Sequence, residues 1–418
     1  MKRDADVSTK IATFFREDLP LAIKAYDGSH AGNPFAAESL DIKSPLALRC
    51  ILSSPGDLGL ARAYIAEELE IGGDLQKALI TLRDYIKRPF PRTALLSLSG
   101  SVGVKAFIRP GLPEEEAPAR WKRGLLHSLN RDSAAIAHHY DVSNEFYALI
   151  LGPTMVYSCA LFRKNGEDTA LDDAQIAKID LICRKLDLKS DMKLLDVGCG
   201  WGTLVIHAAK EYGIKAVGVT LSKAQLELAQ SRVSAAGLSD RVEIRLQDYR
   251  QVQETDFGAI SSVGMSEHVG DSKLEGYFQT LRRRIADDGR LLNHCITRPT
   301  GGERARTGAF IDRYIFPDSE LSGSNRVIQA FINSGFELRH SESLREHYAL
   351  TLSRWRENLL RNWDESVTQV GVRRVRLWNL YMALCQIGFE ANNLQIHQFL
   401  GEAVGTSGTS AFPLSPNW

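Results

Sequence analysis

No two of the six cysteines are close enough to form a CxxC pair; they stand at positions 50, 159, 183, 199, 295 and 385. That argues against a zinc site or a redox motif, and the six read as free thiols in small apolar niches. No apolar run reaches the ~18–20 residues that a membrane-spanning helix needs. The first ten residues, MKRDADVSTK, hold no apolar core and predict no secretory leader. Net charge is missing too, because 51 Lys and Arg balance 51 Asp and Glu. This disfavours nucleic-acid binding through bulk charge. No internal repeat or long low-complexity tract is present. What remains is a chain of 418 residues, 44% hydrophobic and 24% charged, the balance expected of a globular protein with two domains.

The first domain with its linker is expected over 1–119. Helical patterns run over 17–26, 45–53, 58–68 and 75–87. Pro110, Gly111, Pro113 and Pro118, with the acidic run Glu114-Glu115-Glu116, mark a linker near 109–119. A larger domain is expected over 120–404, and the Gly/Ser/Pro-rich stretch 405–418 reads as a flexible tail. From about 190 the pattern alternates. Strands are expected at Lys193–Val197, Ala216–Val219, Val242–Leu246, Ala259–Val263 and Gly289–Ile296, with helices over 203–212, 222–236 and Leu274–Ile285. Such alternation predicts an α/β fold, a doubly wound, mostly parallel Rossmann-like sheet, beside a smaller, mainly helical N-terminal domain. Ligands of such sheets bind beyond the carboxyl ends of the strands.

The sharpest local signal is LLDVGCGWG over 194–202. A strand ends in Asp196, glycines follow at 198, 200 and 202, and a helix begins. Glycine lets the backbone turn tightly and approach a ligand closely. A nicotinamide fingerprint is GxGxxG; here the third glycine comes one place sooner and an acid precedes the first. An acid suits an amine-bearing or cationic ligand, which is the pattern of S-adenosylmethionine (SAM) methyltransferases. The second strand ends in Thr220-Leu221-Ser222 without the usual ribose-binding acid, leaving Gln225 as the nearest bidentate group. After the third strand, Gln247-Asp248-Tyr249 offers a carboxylate to an adenine amino group and a ring to its face.

Further motifs follow in order: YDVSNEFY over 140–147, VYSCA over 156–160, GVTLS over 218–222, VGMSEHVG over 263–270 and YIFP over 314–317. Together with the glycine loop they make residues 120–400 resemble the cyclopropane-fatty-acid synthase family, which includes the mycolic acid cyclopropane synthases. The first 120 residues resemble that family's lipid-associating domain more weakly. The resemblance implies methyl transfer from SAM to a cis double bond of a phospholipid acyl chain. A carbocation results, a base removes a proton and a cyclopropane closes. In the family that base is a bound bicarbonate, whose ligands match Cys159, Glu267, His294, Ile296 and Tyr348, with Cys159 and Ile296 acting largely through the backbone. The SAM set matches Tyr157, Ser158, Asp196, Gly198, Gly200, Gly202, Thr220, Leu221, Gln225, Gln247, Asp248 and Tyr249. No metal is implied.

An alkene is a weak nucleophile, so the site must be dry and must tolerate a cation. Aromatic faces stabilise cations; Tyr277, Phe278, Tyr314, Phe316 and Tyr381 are candidates. The family carries an aromatic residue just before the Glu of EHVG, where this chain has Ser266. That departure leaves two products open, the cyclopropane and a methylene-branched chain that a reductase partner could saturate. A small-molecule N-methyltransferase is a more distant alternative. The substrate would be unsaturated phospholipid at the membrane surface. The chain is expected in the cytoplasm, peripheral to the inner membrane face, with homodimer assembly left open. Basic clusters at Arg120/Lys122/Arg123, Arg282/Arg283/Arg284 and Arg373/Arg374/Arg376 are candidates for contact with anionic lipid, and 131–150 is a candidate lid.

Overall fold

The computed structural model describes residues 5–15, 18–86, 92–102, 143–163, 169–299, 308–316, 320–405 and 407–418, together with 111, 113, 115 and 116. Most of the linker expected near 109–119, the cluster Arg120/Lys122/Arg123 and most of the candidate lid lie outside the described residues. The chain divides into two compact units. One comprises Met1–Pro118, Gly308–Ile315 and Trp363–Ile387; the other comprises Ala119–Thr307, Phe316–Asn362 and Gly388–Trp418. The division is discontinuous, where the sequence suggested consecutive segments.

The first unit holds a four-stranded sheet in the order β2-β1-β3-β4, with β1 Ala22–Ala25, β2 His30–Gly32, β3 Ser39–Ile42 and β4 Leu69–Gly72. Helices Pro45–Ser53, Asp57–Ile65 and Leu75–Ile86 fall where the 3.6-residue pattern put them. The helix expected over 17–26 is instead strand β1. Its Ile23 and Ala25 are buried while Lys24 between them is exposed, and that two-residue period marks a strand.

The second unit carries a seven-stranded sheet in the order β10-β11-β9-β8-β5-β6-β7. Its strands are β5 Lys193–Val197, β6 Lys215–Thr220, β7 Val242–Leu246, β8 Phe257–Val263, β9 Ile285–Thr297, β10 Phe336–Ser343 and β11 Gln395–Ala403. The pairs β5–β6, β6–β7, β5–β8 and β8–β9 are parallel; β10–β11 and β11–β9 are antiparallel. The sheet is therefore mixed, and sequence reading missed its antiparallel edge. Both faces are covered. Leu194, Ala259 and Leu292 pack into a core with helices Leu171–Lys185 and Thr203–Tyr212. Leu195, Ile260 and Leu291, their immediate chain neighbours and so on the opposite face, pack into a second core with Tyr277, Phe278 and Phe331. The chain runs outward from β5 to β6 and β7, then returns to β8 on the other side of β5. That reversal opens a crevice at the carboxyl ends of β5 and β8.

Two surface expectations change. Arg376 is buried within the first unit, where it pairs with Glu70 at 2.9 Å and donates to the carbonyls of Tyr64 and Leu69. It has no charge to offer a lipid surface. The stretch 405–418 is held rather than loose. Phe412 lies under the guanidinium groups of Arg290 and Arg339, and Ser410 donates to Glu402 at 2.6 Å. Among the described residues, no helix is long and apolar enough to cross a membrane, and no cluster of His, Cys, Asp and Glu could hold a metal ion.

Candidate active site

The glycine loop follows β5 as the motif required. Gly198, Gly200 and Gly202 all have positive φ, at 78°, 55° and 80°. A side chain on Gly198 would meet Met265 Sδ at 2.5 Å, so the turn after β5 is pressed against the turn after β8. A side chain on Gly200 would meet nothing within 4 Å, which leaves that backbone open to a ligand. The helix Thr203–Tyr212 begins at Gly202 without a side-chain cap, so its first N–H groups point at the same space.

The other residues expected to face a nucleoside lie at neighbouring strand ends. Thr220 Oγ1 donates to Gln225 Oε1 at 2.8 Å, Ser222 caps the helix Lys223–Ala235, and the Gln247 N–H reaches the Thr220 carbonyl at 3.0 Å. Leu221 is half-buried between them. Asp248 is buried and gripped by Arg250 through two side-chain bonds of 2.8 and 2.7 Å. Gln247 Oε1 is buried without a protein partner. The Tyr249 ring meets Tyr277 edge-on at 4.9 Å. Asp196 is buried and accepts from Ser261 at 2.6 Å. Burial pushes its carboxyl up to about 6 against the pull of that bond and of Lys178.

Glu267 and His294 sit at the ends of β8 and β9. Glu267 lies on the short helix Ser266–Val269, and its Oε1 takes the backbone N–H of Ile296 at 2.7 Å. Its Oε2 is buried without a partner, and burial pushes the carboxyl up to about 7. His294 is buried with both ring nitrogens unpartnered, and burial holds it well below the usual histidine range, so it is neutral at pH 7. Its carbonyl takes the N–H of Gly264 at 2.8 Å, tying the two strand ends together.

Cys159 and Tyr348 converge on the same region through Leu344. The Leu344 carbonyl accepts from Cys159 Sγ at 3.6 Å and from the Tyr348 N–H at 3.1 Å. The Leu344 N–H in turn bonds Ile396, which pairs with Ile296 across β11 and β9. Cys159 is fully buried and burial raises its thiol, so it is no nucleophile. The rings of Tyr157 and Tyr348 flank Trp355 at 5.1 and 6.0 Å. Of the candidate cation-facing rings, Tyr277 and Phe278 belong to the core beneath the sheet. Tyr314 and Tyr381 fall in the first unit, and Phe316 packs on His268.

Sequence reading missed three polar residues, Gln175, Lys178 and Asn293. Gln175 and Lys178, on the helix Leu171–Lys185, reach Ser158 from beneath: Gln175 Nε2 donates to its carbonyl at 2.8 Å and Lys178 Nζ to its hydroxyl at 2.7 Å. Asn293 accepts from Ser262 at 3.1 Å and Ser266 at 2.9 Å. A signal for Lys178 existed. It stands four residues from both Ala174 and Ile182, on the apolar stripe of its helix.

Residues 127–399 match the family model for mycolic acid cyclopropane synthetase. The chain belongs to that family. It is a SAM-dependent methyltransferase. Over 96% of its length it is 44% identical to a probable fatty acid methyltransferase of Mycobacterium tuberculosis, covering 95% of that protein. It is 33% identical to a tuberculostearic acid methyltransferase of the same organism, over 91% of this chain and 87% of the other. A mycolic acid cyclopropane synthase crystallised with SAH and CTAB superposes with a TM-score of 0.60 at 33% identity, spanning 65% of this chain and 98% of that one.

Proposed function

We propose that this chain methylates the cis double bond of an unsaturated acyl chain in a membrane phospholipid and forms a cyclopropane. The observation that carries the reading is the pair Glu267 and His294. They are buried at the sheet's switch point beside the glycine loop, and they hold three polar atoms without protein partners. Buried polar groups left unpaired are costly and call for a ligand that pairs with them. A small oxyanion fits: neutral His294 offers one donor and one acceptor, and Glu267, near neutrality, can present a proton or accept one.

SAM, when bound, supplies an electrophilic methyl on a sulfonium, and bicarbonate, when bound, supplies a base. The residues do the rest. The loop of Gly198, Gly200 and Gly202 gives SAM a close backbone surface. Gln225, Gln247, Asp248 and Tyr249 would hold its nucleoside. Glu267, His294 and the backbone of Ile296 would orient the bicarbonate, while Cys159 and Tyr348 close the wall opposite. Burial excludes water, which would otherwise quench the cation, and the rings of Tyr157, Tyr348 and Trp355 provide faces for positive charge. The substrate brings the protein to the membrane surface from one side.

A second product is favoured by Ser266. Its hydroxyl is turned into the sheet, on Asn293, so it supplies no ring where the family places one. With less restraint on the cation, a hydride shift followed by proton loss from the new methyl gives a methylene branch. The match to a tuberculostearic acid methyltransferase over 91% of this chain accords with that outcome. Removing dissolved carbon dioxide tests the base directly. Turnover is expected to fall and to return when bicarbonate is added; undiminished turnover in bicarbonate-free buffer would remove the oxyanion from the mechanism.

A further inference from the structure

Lys178 is among the largest side chains fully buried in the molecule. Among the described residues its single hydrogen bond goes to a neutral group, Ser158 Oγ, at 2.7 Å. No carboxylate among the described residues lies within salt-bridge distance of it. The carboxylate that acts on it, Asp196, is already bonded to Ser261 and itself shifted toward neutrality by burial. An ammonium group has three protons to donate, and burying it without an anion is costly. One turn earlier on the same helix face, Gln175 holds the Ser158 carbonyl, and its own Oε1 is buried without a partner. The segment Tyr157-Ser158-Cys159 is therefore clamped from below by two polar side chains whose hydrogen-bonding capacity is only partly used. Cys159 and His294 both lie within electrostatic reach of Lys178.

We infer that Lys178 is the fixed cation of the active site, binding the oxyanion of a ligand that docks at Ser158. The inference rests on the SAM and bicarbonate reading above and deepens it. Two sources supply that chemistry, the amino-acid carboxylate of SAM and bicarbonate. Both are small carboxylate-type anions that would complete the coordination of the ammonium. Lys178 remains partly charged near neutral pH, since burial lowers it only to about 8.

The test uses the full chain with two substitutions, Lys178→Met and Lys178→Gln. The first removes charge and donor; the second keeps a donor for Ser158 without charge. Calorimetry measures binding of SAH, which carries the carboxylate, and of 5′-methylthioadenosine, which lacks it. Should Lys178→Met fail to fold, Lys178→Gln answers alone. If the carboxylate of SAM is the partner, both variants lose about 10- to 100-fold in SAH affinity, and methylthioadenosine affinity is unchanged. If bicarbonate is the partner, SAH affinity holds while the thermal shift that bicarbonate gives the wild type disappears. Unchanged SAH affinity together with an unchanged bicarbonate shift, or full rescue by Lys178→Gln, would overturn the inference and leave Lys178 a strut for Ser158. Failure of the wild type itself to bind SAH would instead sink the SAM reading on which it rests.

Discussion

At the residue scale, the two unpaired buried groups set the clearest expectations. Burial lifts Glu267 from 4.5 to about 7. Between those values the ligand-free folded state keeps the proton and the unfolded chain sheds it, so stability is lost as pH rises through that window. Glu267→Gln cannot ionise and keeps an acceptor for the Ile296 N–H. It should match the wild type near pH 4.5 and exceed it by up to about 3 kcal/mol above pH 7. Denaturant unfolding at the two pH values checks this; a gap that does not change with pH would contradict it. The same variant should lose nearly all turnover while binding SAH as the wild type does. Gly200→Val should abolish SAH binding in calorimetry, because its branches would fill space that holds nothing within 4 Å. Its positive φ adds a stability cost of about 1–2 kcal/mol. Retained SAH affinity would show that the cofactor lies elsewhere.

The elements explain how much of this was legible. β5 and β7 fall where their apolar runs ended, and the glycine spacing gave the loop between β5 and its helix. β5 is buried on both faces and reads as a near-continuous apolar word, whereas the edge strand β7, VEIRL, alternates buried and more exposed residues. β11 was missed because Gln398 and Glu402 sit buried inside it, where Gln398 Oε1 and Glu402 accept from Lys185 and Arg339 at 2.7 and 2.8 Å; a sequence window sees only their polarity. β10 was missed because it is half exposed at the sheet edge. Asn293 escaped for a related reason, since its buried amide reveals itself only when its partners Ser262 and Ser266 on other elements are known. Helix Ser266–Val269, which carries Glu267, has only four residues and depends on the anchor of Ser266 to Asn293. Asn293→Leu removes the acceptor of two buried hydroxyls and should cost about 1–3 kcal/mol. Turnover should fall with it, while SAH affinity stays constant. Unaltered turnover would show that Glu267 holds its position without that anchor.

On the scale of the whole molecule, the Arg373/Arg374/Arg376 cluster looked like a lipid-facing stripe in the sequence, yet Arg376 is spent inside the first unit on Glu70 and two carbonyls. Helical spacing places charges on a face but cannot say which of them the fold consumes. Arg376→Met should therefore destabilise the chain, by about 1–3 kcal/mol for the Tyr64 and Leu69 carbonyls left without their donor, more than it weakens sedimentation with anionic vesicles. The reverse ranking would restore Arg376 to the surface. What ties the second unit together is that a glycine loop, a buried acid and a neutral histidine lie at the strand ends of one sheet. The decisive measurement is proton NMR with mass spectrometry of cis-unsaturated phospholipid after incubation with the purified chain and SAM. An added mass of one CH2 with upfield cyclopropyl protons is expected, or vinylidene protons if Ser266 diverts the cation. Lipid of unchanged mass, with SAM intact, would contradict the assignment of this chain to acyl alkene methylation.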